Sequence, residues 1–241
     1  MQRAIWARLA MVCAVVLAGA CKRGDQAASR AAQAGDQMTT DAMGTAEYTI
    51  VLKSRWTRAE HPFEYPTAGP ILGPHFSGLI GASHDASYSI FADGGLPTAG
   101  LEKLSEEGKH NPLDDEIKAA IAAGRAGMLV ETGPLRDFGD SLVTTVRVDG
   151  VHPLVSLVAM VAPSPDWFTG ATNVNLMENG AWVASRTIEL NAWDSGGDDG
   201  TTYKAPDNDN SPKKPTMRAM TPHFVVNGVT VPVATVTFTK N

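Results

Sequence analysis

Two short loops hold the side chains best suited to chemistry. Pro163-Ser164-Pro165-Asp166-Trp167-Phe168 sets one carboxylate between prolines and an aromatic pair. Trp193-Asp194-Ser195-Gly196-Gly197-Asp198-Asp199-Gly200 packs three carboxylates and three glycines into eight residues. Calcium is a hard cation that takes about six to eight oxygen ligands, from carboxylates and from backbone carbonyls of flexible loops. Clustered aspartates and glycines supply both kinds, although composition alone favours a solvated acidic turn. An EF-hand is excluded: counted from Asp194, the sixth position is Asp199 rather than glycine and the twelfth is Ala205. Trp56, Trp167, Trp182 and Trp193 read first as interior or loop-bracing residues, with Trp167-Phe168 the pair nearest to exposure. If exposed beside a bound cation, that pair is a candidate ligand-binding surface for a glycan or lipid.

Catalytic combinations are weaker. Asp149, His152 and Ser156 have the composition of a hydrolase triad. His152 and Ser156, however, stand four apart on one expected strand, about 13 Å, beyond the contact that a nucleophile needs with its base. His61, His75 and His84 could meet at a zinc ion only through folding, since the sequence has no close pair of the His-Glu-x-x-His kind. Each reads more simply as a satisfied core or turn residue. Paired carboxylates of glycosidase type stay open, because their separation is invisible in a sequence.

The elements that must position these loops are mostly strands. Tyr48 to Trp56 alternates, with Tyr48, Ile50 and Leu52 on one face. Leu142 to Val148 reads as a strand, and Asp149-Gly150 as a tight hairpin turn into the next. Val151 to Ala162 is nearly all apolar and valine-rich, which fits a central strand covered on both sides. Phe224–Val226, Asn227-Gly228 and Val229–Phe238 read as a last hairpin, with Pro232 at an edge or bulge. One helix is predicted over Pro112–Ala126, capped by Asn111, begun by Pro112, favoured by Asp114, Asp115 and Glu116 in its first turn and closed by Gly127. Its inner stripe would be Leu113, Ile117, Ala120, Ile121 and Gly124. A shorter helix is predicted over Leu101–Glu107. Many short strands separated by Gly, Pro and Asn favour an antiparallel β-sandwich with these helices as insertions.

The N-terminus speaks for export. Arg3 and Arg8 precede the uncharged apolar run Leu9 to Ala20, the layout of a secretory signal. The run is far short of the roughly 20 apolar residues that a spanning helix needs. Leu17-Ala18-Gly19-Ala20-Cys21 resembles a bacterial lipobox, which implies cleavage before Cys21 and acylation of its sulfur; cleavage near Ala20 without lipid is the alternative. Residues 22–46 are rich in Ala, Gln, Gly, Asp and Thr without apolar periodicity, so 21–46 reads as a lipidated cysteine and tether. Removing residues 1–20 takes the basic count from 20 to 18 against 26 acidic residues, a net charge of −8. That balance, with Lys22-Arg23 and Lys213-Lys214 as the only adjacent Lys/Arg pairs, makes a poor nucleic-acid binder, which needs clustered cations. Cys13 lies inside the signal and Cys21 at its end, so no disulfide is expected in the domain.

With these residues in place a family resemblance emerges. His152-Pro153-Leu154-Val155-Ser156 leading into Ser164-Pro165-Asp166-Trp167-Phe168, then Trp193-Asp194 with Asp198 and Gly200, resembles the spondin domain. Trp56 with His61-Pro62, His75-Phe76-Ser77, Gly81-Ala82-Ser83-His84, and Gly100 with Glu106 and Gly108 follow in the family's order. The resemblance covers about residues 47–203, with 204–241 matching only in strand character, and implies for the domain 47–241 a C2-like antiparallel β-sandwich, used for adhesion in extracellular matrix proteins. It carries the family's metal-binding aspartates onto Asp166 and Asp194, with Asp198 in support. A family glutamate aligns with Arg147, leaving Asp149 or Glu131 as carboxylates to replace it, or Arg147 itself as the charge that neutralises the loops.

Taken together, the sequence predicts a lipid-anchored, calcium-associated adhesion or ligand-binding module at the cell envelope, in an outer-membrane, periplasmic or surface location. It would meet the membrane through its N-terminal lipid and a glycan or protein through its surface. A structural envelope lipoprotein without metal and a secreted hydrolase are the alternatives.

Overall fold

The computed structural model describes residues 44–67, 73–135 and 141–241. The expected signal, Cys21 and most of the tether lie outside them. In chain order the strands and helices are β1 (Ala46–Ser54), β2 (His75–His84), α1 (Ala99–Glu107), α2 (Leu113–Ala122), β3 (Ala126–Leu135), β4 (Ser141–Val148), β5 (Leu154–Ala162) and β6 (Trp167–Asn175). There follow β7 (Met177–Glu178), β8 (Ala181–Trp182), β9 (Ser185–Leu190), β10 (Ala192–Asp194), β11 (Met217–Arg218), β12 (Val225–Val226), β13 (Val229–Thr230) and β14 (Ala234–Lys240). Four strands form one sheet in the order β4-β1-β14-β9, and six form the other, β11-β10-β6-β5-β2-β3, with antiparallel pairing throughout.

The alternation of β1 decides where the first core lies. Tyr48, Ile50 and Leu52 are fully buried and pack with Val155, Leu157, Ala159, Val161, Trp167 and Phe238 between the two sheets. Residues of opposite parity in the six-stranded sheet face the helices instead. Ile80, Ala82, Val158 and Phe168 pack there against Leu101, Leu104, Leu113 and Ile117. Because both faces of this sheet are covered, β5 is buried along nearly its whole length, which is the physical reason for its unbroken apolar run.

The helices follow their capping chemistry. Thr98 Oγ1 accepts from Leu101 N at 3.1 Å to start α1, and Gly108 in the left-handed region (φ 66°) ends it. For α2 the expected boundaries need correction. Asn111 does not cap the backbone: its amide donates to the carboxylates of Asp114 and Asp115 at 3.1 and 2.8 Å. The helix closes at Gly124 (φ 71°) rather than Gly127, since only a residue tolerant of positive φ turns the chain there. Gly124 therefore belongs to the stop and not to the buried stripe, and Gly127 lies in β3.

Two hairpin readings are also corrected. Asp149-Gly150 does not join paired strands: β4 pairs with β1 in one sheet, while β5 pairs with β2 and β6 in the other. The Asp149 carboxylate instead accepts the backbone N–H of Val151 and His152, which turns the chain across the sandwich. The last hairpin is only β12–β13, and β14 leaves it to lie between β1 and β9.

Candidate functional site

The end of β5 feeds the site. After Ala162, the turn through Pro163–Pro165 delivers Asp166 immediately before β6, and β10 pairs with the start of β6, setting Asp194 opposite Trp167. The glycine-rich segment then folds back over Asp166. Its Oδ2 accepts from Ser195 Oγ (2.9 Å), Gly197 N (2.9 Å) and Asp198 N (3.2 Å). Asp194 Oδ1 accepts from Gly196 N at 2.9 Å. Asp198 holds the outer turn, accepting from Gly200 N at 2.6 Å and Asn208 N at 2.5 Å. Gly196 (φ 84°) makes the bend that other residues would resist. The three predicted aspartates are thus brought into one loop cluster.

Its electrostatics are unbalanced. Asp166 is fully buried, and its Oδ1 has no hydrogen-bond partner among the described residues. Burial raises its carboxyl above the usual range against the pull of its N–H donors. Burial, and then the charge of Asp166, push Asp194 up to about 6, while Lys214 opposes the rise. A buried acceptor left unpaired costs about 1–3 kcal/mol, and like charges in one site raise each other's pKa. This donor set, two adjoining carboxylates with one free buried oxygen, fits a hard cation such as calcium.

The structure adds residues that sequence reading missed. Asn210 N donates to Gly197 O at 2.7 Å and Thr216 Oγ1 to Ser195 O at 3.0 Å, so the segment after the acidic loop clamps it. No local pattern marked these residues, because their partners are backbone carbonyls distant in sequence. On the other side of Gly197 lies α1: a Cβ at Gly197 would sit 2.8 Å from Glu106 Oε1. Glu106 is pushed up to about 7 by burial and by Glu102 and Asp209, with which it clusters. Lys213 already answers part of that charge, 2.7 Å from Glu102 and donating to Gly197 O at 3.2 Å.

Other expectations fall differently. Trp167 and Phe168 are both fully buried, so they offer no docking surface. Successive strand residues point to opposite faces; here one face is the sandwich core and the other the helix layer, and burying each aromatic contributes about 1.5–3 kcal/mol. Arg147 does not neutralise the aspartates. It is exposed on β4 opposite Glu47, next to Met128 of β3, toward the end of the sheet where β5 begins. Asp149 bonds His152 at that same end, and Glu131 bonds His110 at 2.9 Å. Neither joins the loop cluster.

The triad does not assemble either. His152 pairs with Asp149 at 3.2 Å, but Ser156 bonds His84 Nε2 at 2.7 Å, and Ser156 and His84 are both fully buried. His61 has its ring nitrogens against the carbonyls of His223 (3.1 Å) and Pro232 (3.3 Å), to one of which the neutral ring donates. His75 and His84 occupy opposite ends of β2, about 30 Å apart at ~3.3 Å per residue, so the three histidines share no metal.

The class is defined by this geometry: an antiparallel β-sandwich with two helices on one sheet and an aspartate loop cluster where that sheet's central strands turn. The chain belongs to the Spondin_N family, which matches residues 46–227. It is 30% identical over 173 residues to human Spondin-2, covering 71% of this chain and 52% of that protein. To bovine Spondin-1 it is 29% identical over 189 residues, covering 73% of this chain and 21% of that protein. The chain therefore spans about half the length of Spondin-2 and about a fifth of Spondin-1.

Proposed function

We propose that this domain is an extracellular adhesion or ligand-binding module that carries a calcium ion on Asp166 and Asp194, with Asp198 bracing the loop. The observation that carries the metal is the buried Asp166 Oδ1, left without a partner beside a second carboxylate. The ion would supply the charge that this pair lacks, fixing two loops contributed by different strands. Adhesion is the reading that kinship with the spondins supports, and the failure of the candidate triad to assemble argues against hydrolysis.

Calcium at about a hundred times its Kd is expected to stabilise the fold by about 2.7 kcal/mol. Asp194→Asn is expected to lose most of that gain while its stability in chelator stays level or rises. Thermal melts of parent and variant in chelator and in millimolar calcium check this. A parent without a calcium-dependent shift would replace the reading with a structural envelope protein whose acidic loops are neutralised by Lys213 and Lys214.

The domain is proposed to be presented at the envelope by lipid on Cys21. Among the described residues no helix is long and apolar enough to cross a membrane. Cys21→Ser is expected to move the protein out of the membrane fraction or block its processing. Unchanged fractionation and processing would remove the anchor from the proposal.

A further inference from the structure

Beyond the start of β6 the six-stranded sheet has an open flank. β10 pairs with β6 only from Trp167 to Thr169, and past that point the edge of β6 faces β9 of the other sheet across a slot of about 390 Å³. Thr172, Asn173, Asn175, Asn191, Trp193 and Arg218 supply its polar and aromatic lining.

The charges in this slot are not equivalent. Glu189 and Arg186 also border it, but Glu189 is paired with Arg55 at 2.6 Å and Arg186 with Glu178. Arg218 is different. It lies opposite Trp193 across the β10–β11 pair, its guanidinium stacked 4.3 Å from the indole centroid, and Phe91 braces the indole from the side at 5.1 Å. Among the described residues the Arg218 guanidinium makes no hydrogen bond or ion pair; Asp93 acts on it only from a distance. An Arg fork held against an aromatic face, with its donors unspent, is pre-organised for two parallel bonds to a carboxylate. The side-chain amides of Asn173 and Asn191 likewise have no partner among the described residues, and an amide offers both donor and acceptor to a hydroxyl.

We infer that this slot binds a carboxylate-bearing saccharide, with Arg218 taking the uronate carboxylate and Asn173 and Asn191 its neighbouring hydroxyls. An acidic peptide added as an extra strand is disfavoured by the backbone itself. Asn173 sits at φ 55° and turns its N–H inward to Ser156 Oγ at 3.0 Å, so the open edge of β6 is not a regular ladder. The inference deepens the ligand-binding reading and rests on it. It does not depend on the calcium ion, because none of the loop aspartates borders the slot.

The test is isothermal titration of the full chain with a galacturonate trisaccharide, run in chelator, against a neutral galactose trisaccharide and a glutamate-rich peptide. Expected are binding of the uronate, binding of the neutral sugar and the peptide at least about tenfold weaker, and a loss of about tenfold or more in Arg218→Gln. Arg218→Lys keeps a long aliphatic side chain and the charge but not the fork. It is expected to lose most of the affinity too, and it decides the matter if Arg218→Gln melts early. No uronate binding, equal binding of the neutral sugar, tighter binding of the peptide, or full affinity in the well-folded Arg218 variants would each overturn the site. Binding that appears only when calcium is restored would place the uronate on the aspartate loops and overturn the slot while sparing the metal.

Discussion

The two buried polar groups at opposite ends of β5 are built on different principles. Near its start, His84 Nδ1–H donates to the Asp85 carbonyl at 2.7 Å, which leaves Nε2 to accept from Ser156 Oγ at 2.7 Å; Ser156 Oγ in turn accepts from Asn173 N at 3.0 Å. Burial lowers the His84 pKa and keeps the ring neutral. Both ring nitrogens have partners and the group carries no net charge. Past the other end, Asp166 and Asp194 are like charges in one pocket and one of their oxygens is bare. A closed network rigidifies a core, whereas an open, charged one marks the place for something the chain does not supply. The comparison also separates a Ser–His contact that looks catalytic from a site that is chemically incomplete.

The largest effect that could break this comparison comes from the closed end. Ser156→Ala strips His84 Nε2 and Asn173 N of their partner and is expected to cost about 1–3 kcal/mol, equally in calcium and in chelator. Denaturant unfolding in both conditions measures it. A cost near zero, or one that changes with calcium, would mean that the two ends are not separate. The double variant His84→Leu/Ser156→Ala sharpens the point: if the pair is purely structural, it should cost less than the sum of the single changes.

A smaller effect, about 1 kcal/mol, tests the open end through pH. The folded-state pKa of Asp194 lies near 6, above its ordinary value. As pH falls through 6 the folded chain takes up a proton that the unfolded chain does not, so stability contributed by this group rises. The buried His61, His84 and His223, whose pKa values are lowered, act in the opposite direction. Comparing the parent with Asp194→Asn cancels them. In chelator the parent should gain on the variant between pH 7.5 and 5.5, and parallel stability curves would show that Asp194 carries no strained charge.

Much of this protein was legible along the chain because the signals are local. Alternation placed Tyr48, Ile50 and Leu52 inward, an unbroken valine-rich run marked β5 as covered on both faces, and the first-turn acids marked α2. The aspartates of the two loops stood out by type and spacing, the family was legible in the same motifs, and it was the resemblance that carried a metal reading onto Asp166 and Asp194. What the residue order leaves open is which surfaces the elements turn toward one another. Whether Trp167-Phe168 met water could not be settled along the chain; both are interior, because the sandwich core takes one face and the helix layer covers the other. Asp149-Gly150 has the composition of a hairpin turn and crosses between sheets, since the strands on either side find better partners elsewhere. The Arg218–Trp193 stack, the His84–Ser156 bond and the clamp from Asn210 and Thr216 join residues between 13 and 72 positions apart. Side-chain type and local period are properties of the chain, but hydrogen-bond closure and charge balance are properties of neighbours, and only the tertiary fold chooses those.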